Sequence, residues 1–121
     1  MIRALGIQHV QISIAPGQEA ATRAFYLDLL GLTEFEDPFH AKGGFWARAG
    51  DQEVHIRVEK DIDRSKTNAH TAFLVDDLAA AETVLVAKNF PIHPQPKIVG
   101  FNRFHTVDPS GNRIEVMQRE N

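Results

Sequence analysis

The sequence contains no cysteine. Disulfides and thiolate metal sites are thereby excluded, which leaves His, Asp, Glu and water as the ligands a metal ion could find here. Nitrogen and oxygen donors suit Zn, Ni, Co, Mn or Fe(II). Long apolar runs are missing as well: no stretch approaches the roughly eighteen consecutive apolar residues of a membrane span, and the opening MIRALGIQHV lacks the apolar run of a signal peptide. The expected location is cytoplasmic, with no membrane partner. Nor is there a basic surplus. A formal net charge of -3 at pH 7 is the wrong sign for a phosphate-coating surface, which argues against nucleic acid and for a small-molecule or protein partner.

What is present suffices for one domain, 1–121, with a buried core: the 121 residues are 43% hydrophobic and 24% charged. Hydrophobic periodicity predicts a strand at IQHVQISI (7–14), then a helix over 18–30 in which Ala21, Phe25 and Leu29 recur, stopped by Gly31. TEFEDPF reads as a weak strand broken by Pro38, and GFWARA (44–49) and EVHIRVE (53–59) as strands joined by a Gly50-Asp51 turn. The polar KDIDRSKTN (60–68) is a linker. The order then starts again, with HTAFLV (70–75) as a strand and a helix over 77–88 capped by Asp76 or Asp77 and carrying Leu78, Ala81, Leu85 and Val86. A proline-interrupted PIHPQPKIV follows, then the strand FNRFHTV (101–107), the turn DPSGN and the strand RIEVMQ (113–118). Each half is one strand, one helix and three strands. The fold class is α+β, with module 1 at about 1–60 and module 2 at about 69–121.

Spacing sharpens the repeat. His9 and His55 are 46 residues apart and His70 and Glu115 are 45, so a displacement of about 60 lays His9 near His70 and His55 on Glu115. Strand parity sets His9, Gln11 and Ser13 opposite Val10, Ile12 and Ile14, and His55 and Arg57 opposite Val54, Ile56 and Val58. Glu115 shares such a polar face with Arg113. Helices covering the apolar faces free the polar ones to line a concavity. Three imidazoles and one carboxylate converging there make a first shell for a divalent metal, with open positions for substrate. Arg103 and His105 share a face of FNRFHTV and are candidates for contacting an anionic or polar substrate, and Arg57 for pairing with a substrate carboxylate. Phe39, Phe45, Trp46 and Phe101 are expected mostly to pack the core, with an aromatic groove as their alternative use. His40 and His93 have no repeated counterpart and are expected in surface loops.

The segments HVQISI, AFYLDLLGL, HTAFLVDDL and VDPSGNRIEV together resemble the vicinal oxygen chelate superfamily. That group includes glyoxalase I, bleomycin-resistance proteins, fosfomycin-resistance thiol transferases, methylmalonyl-CoA epimerase and extradiol dioxygenases. The resemblance implies paired βαβββ modules, an eight-stranded cup-shaped sheet covered by helices, and a homodimer whose sites mix modules from two chains. It implies metal ligands on the first and last strands of each module, here His9, His55, His70 and Glu115. His9, His70 and Glu115 match the set of the thiol transferases and dioxygenases. His55 stands where glyoxalase I has a Glu that helps move the substrate proton, and Gln11 stands where the fosfomycin enzymes have a hydroxyl residue. The implied function is a metal-dependent enzyme that chelates vicinal oxygens of a small polar substrate, with lyase or isomerase chemistry first. In it Glu115 and His55 are the catalytic candidates, His55 as ligand or as general base. A ring-cleaving Fe(II) dioxygenase and a metal-free drug-sequestering protein are the alternatives.

Overall fold

In the computed structural model, which describes residues 1–121, β1 (His9–Ile14) buries Ile12 and Ile14 and leaves His9 and Gln11 exposed. That alternation places the polar row of the strand on the face away from the core. Helix α1 (Glu19–Arg23) follows and runs directly into a π-helical segment (Ala24–Leu29). Thr22, Phe25 and Tyr26 are fully buried, whereas Ala21, expected on the apolar stripe, is exposed. Leu30 N donates to Phe25 O at 3.0 Å, and Gly31 then turns the chain out at φ +75°, the left-handed stop that glycine adopts without steric cost.

The weak strand is confined to β2 (Thr33–Phe35). Asp37 ends it by accepting the backbone N–H of Phe39 at 2.8 Å and of Ala41 at 3.2 Å. Next come β3 (Phe45–Ala49) and β4 (Gln52–Val58), and a short 3-10 turn (Arg64–Lys66) in the linker. The second module repeats the order with β5 (His70–Leu74), α2 (Leu78–Ala87), β6 (His93–Pro94), β7 (Phe101–Val107) and β8 (Arg113–Arg119). Asp77 caps α2, its carboxylate accepting from Ala80 N at 3.0 Å. Only Leu85 of α2 is fully buried, with Leu78 and Ala81 packed partly against the core. Val86, expected on the apolar stripe, is 56% exposed.

The eight strands make two four-stranded sheets, ordered β1-β4-β3-β2 and β5-β8-β7-β6. In each, the first strand runs parallel to the last and the other pairs are antiparallel. β1 and β5 are therefore edge strands. Register carries the repeat to the level of single residues. Across the first sheet, Gln11 lies beside His55, His55 beside Trp46 and Trp46 beside Phe35. Across the second, Ala72 lies beside Glu115, Glu115 beside His105 and His105 beside His93. His93 thus sits in a strand rather than a loop, while His40 does lie in a loop, at φ +51°.

A core of 14 buried residues runs through both modules, with Phe25 edge-on to Phe90 at 5.0 Å and Tyr26 tilted on Phe73 at 6.2 Å. A polar clasp closes one end. Tyr26 Oη donates to Asp108 Oδ2 at 2.7 Å, Arg64 Nη2 donates to Ser13 O at 2.7 Å, and Asn112 Nδ2 reaches the same carbonyl at 2.9 Å. The linker and the DPSGN turn are therefore structural parts of the module interface. No helix is long and apolar enough to cross a membrane.

Candidate metal centre

Glu115 stands in the middle of β8 between two core residues, Ile114 and Val116, and faces away from them. It is nevertheless only 5% exposed. A buried carboxylate without partners costs several kcal/mol (order of magnitude), and the neighbouring strands supply those partners. His70, first residue of β5, places Nε2 3.0 Å from Glu115 Oε1; His105, opposite on β7, places its Nε2 3.0 Å from the same oxygen. Arg103 Nη1 is 3.3 Å from it too, and Arg103 Nε donates to Pro96 O at 2.8 Å. Burial alone would raise the Glu115 pKa. The hydrogen bond from His105, the Arg103 charge and the hydrogen bond from His70 outweigh it and hold the carboxyl below its ordinary value.

The hydrogen-bond bookkeeping bears on what belongs here. His70 Nδ1 is 2.9 Å from Asn68 O, a carbonyl that only accepts, so Nδ1 carries a proton. In the neutral ring Nε2 is then a bare lone pair, yet it faces an ionised oxygen. A cation shared by Nε2 and Oε1 would satisfy both acceptors. The ligand atoms of His70, His105 and Glu115 all lie within 4.8 Å of one another. Two imidazoles and a carboxylate, with a backbone carbonyl fixing one ring's tautomer, fit a divalent ion with nitrogen and oxygen ligands.

His9 and His55 lie outside that group, stacked on each other in the first sheet. His55 is 6% exposed and sandwiched between Trp46, at 3.7 Å and 2° between planes, and His9, at 4.2 Å and 15°. His55 Nε2 is 3.0 Å from Glu53 Oε1, and His9 Nδ1 is 2.7 Å from Gln8 Oε1. The amide oxygen of Gln8 only accepts, so His9 keeps Nε2 free, the form in which an imidazole ligates metal. The His55 hydrogen bond is the main influence holding the Glu53 carboxyl below its usual range.

The four expected ligands thus fall into two pairs within one chain. His70 and Glu115 meet on the second sheet, and His9 and His55 on the first. His105, expected to contact substrate, meets the carboxylate directly. Arg103 is beside it. Gln11 is exposed on β1. Arg57 is engaged by Asp37 Oδ2 at 2.7 Å, with its guanidinium 5.8 Å from the centre of the Trp46 ring. Of the four aromatic residues, Phe45 is core at 2% exposure, Phe101 is half-buried near Arg119, and only Phe39 and Trp46 share one neighbourhood, 6.1 Å apart. Sequence reasoning missed Glu53 and Asp37. Glu53 had a usable signal, since it sits two residues before His55 on the same strand face.

Residues 6–116 match the sequence model of the Glyoxalase/Bleomycin resistance protein/Dioxygenase superfamily. The fold is similar over 99% of both chains to a crystal structure described as a glyoxalase family protein from Bacillus anthracis, at 34% identity and a TM-score of 0.86. It is also similar to a glyoxalase/dioxygenase from Nostoc punctiforme (21% identity, 100% of this chain and 98% of that one, TM-score 0.78). A third similar fold is the lactoylglutathione lyase of Agrobacterium tumefaciens (21% identity, 95% and 94% of the two chains, TM-score 0.71). The comparison with curated proteins gives no match. The profile covers almost the whole chain and the shared fold extends end to end; the chain belongs to the glyoxalase/bleomycin resistance protein/dioxygenase superfamily.

Proposed function

We propose that this chain is a metal-dependent enzyme acting on a small polar substrate with neighbouring oxygens, and that lyase or isomerase chemistry is its reaction. The convergence of His70 Nε2 and His105 Nε2 on one buried Glu115 oxygen carries the reading. His70, His105 and Glu115 would hold the ion within one module. His9, with its free Nε2, is the ligand we expect from a second copy in a homodimer. When bound, a divalent cation supplies a Lewis acid for adjacent substrate oxygens. The protein's own groups do the rest. Glu115 and Arg103 set the local charge, and we assign to His55, carried to the ion with His9 of the second copy, the holding of a substrate proton. The two-histidine, one-carboxylate set also suits Fe(II), so ring-cleaving dioxygenation is the second reading.

Elemental analysis of the protein as purified, followed by titration with Zn(II) and Fe(II), tests the proposal. Wild type should take up ion, and Glu115→Gln and His105→Gln should each weaken binding by at least about 10-fold. Oxygen uptake on a catechol panel after anaerobic Fe(II) loading would select the dioxygenase. A protein that takes up no ion, or variants that bind as wild type does, would overturn the metal reading; drug binding by such a metal-free protein would point to sequestration.

A further inference from the structure

Two cavities of nearly equal size differ in the sign of their chemistry. The one against the first sheet, about 510 Å³, has Glu34, Glu36 and Asp37 in its lining. The one against the second sheet, about 500 Å³, is lined by His93, Gln95, His105, Thr106, Val107 and Arg113 and contains no carboxylate. This second cavity shares His105 with the candidate metal cluster, so an occupant sits next to the ion site. Its volume is of the size that holds a small ligand.

Comparison of the two modules shows what has changed at these places. His93 occupies the register position that Phe35 holds in module 1, beside His105 where Phe35 is beside Trp46. Arg113 precedes Glu115 by two residues, as Glu53 precedes His55. In module 1 both positions are spent internally: Phe35 packs edge-on against Trp46 at 5.8 Å, and Glu53 bonds His55. In module 2 neither has such a use. Arg113 makes one hydrogen bond, to Asn68 Oδ1 at 3.2 Å, and no ion pair, and His93 makes no ion pair either. Thr106 Oγ1 is buried with no hydrogen-bond partner, and Gln95 has one N–H on His93 O at 3.3 Å and another to give.

We infer that this cavity is an oxyanion subsite, in which Arg113, His93 and Gln95 receive a carboxylate or phosphonate group of the substrate. A planar guanidinium without a carboxylate partner is matched to two oxygens of such a group, and no carboxylate is among the residues that line the cavity. Resting on the metal reading, this inference narrows the substrate to a small anion whose charged end lies over β6, β7 and the start of β8 while its other oxygens face His70, His105 and Glu115.

The test titrates the whole chain, as purified and after dialysis against EDTA, with malonate, methylphosphonate and the neutral malonamide, following backbone amide shifts. Malonate or methylphosphonate should shift residues 93, 106 and 113 and bind more tightly than malonamide. The tighter of the two anions names the recognised group. Arg113→Gln should weaken anion binding about 10-fold, and His93→Gln in the same direction, while Zn(II) affinity stays as in wild type. Equal binding of malonamide, or anion affinity unchanged in Arg113→Gln, would overturn the subsite even if the protein holds Zn(II). Anion binding that depends on Arg113 in a protein that takes up no metal would uphold the subsite while the metal reading fell.

Discussion

A charged side chain between core residues of a strand ordinarily faces water, and Glu115 departs from that rule because three basic groups cover it. His70 was legible from the repeat spacing, whereas His105 and Arg103 were legible only as residues that share a strand face and were expected at the substrate. Asp37 was not legible, since it acts from a loop. Its carboxylate holds Arg57 and two backbone N–H groups, and these offset the rise that burial would cause, leaving its pKa below the ordinary value. The sign follows from linkage: with the folded value depressed, the stabilisation is complete above about pH 3.9, the unfolded carboxyl value, and is lost as pH falls through the folded value. Asp37→Asn should therefore be less stable than wild type at neutral pH. The gap between their urea midpoints should close on acidification below about pH 3.9, and a gap independent of pH would contradict the assignment.

At the scale of elements, the order β, α, three β was readable twice, because alternation and helical periodicity are local signals. The π-helical segment was not. Phe25 is buried as the period expects, but Ala21 faces out while Thr22 and Tyr26 are buried, which a regular 3.6-residue period does not foresee. Tyr26 has a role beyond packing. Burial, with Asp108 beside it, pushes its hydroxyl well above the usual tyrosine value, so it stays protonated and donates to Asp108. Tyr26→Phe should cost about 1–3 kcal/mol in chemical denaturation by leaving that buried acceptor short of a donor. Leu85 is the one fully buried residue of α2, and Leu85→Ala should cost about 2–5 kcal/mol in the same measurement. A loss near zero would mean that α2 is docked by something other than its buried leucine.

For the whole molecule, the edge strands β1 and β5 carry exposed rows, with His9 and Gln11 exposed on β1 and His70, Ala72 and Leu74 exposed on β5. Homodimerisation would bring these rows opposite partners and carry His9 of one copy to the triad of another. Sedimentation should show a two-chain species, and His9→Ala should weaken Zn(II) binding without changing the fold. A monomer whose Zn(II) affinity ignores His9→Ala would confine the site to His70, His105 and Glu115. Paired modules, strand faces and the chemical types of the ligands were all written in local pattern, because alternation and repeat spacing survive in one dimension. Which imidazole joins Glu115, which cavity lacks a carboxylate in its lining, and how the halves are clasped depend on cross-strand register and on Phe25, Tyr26 and Asn112 packing residues far apart in the chain. Those contacts exist only once both sheets have closed on the shared core.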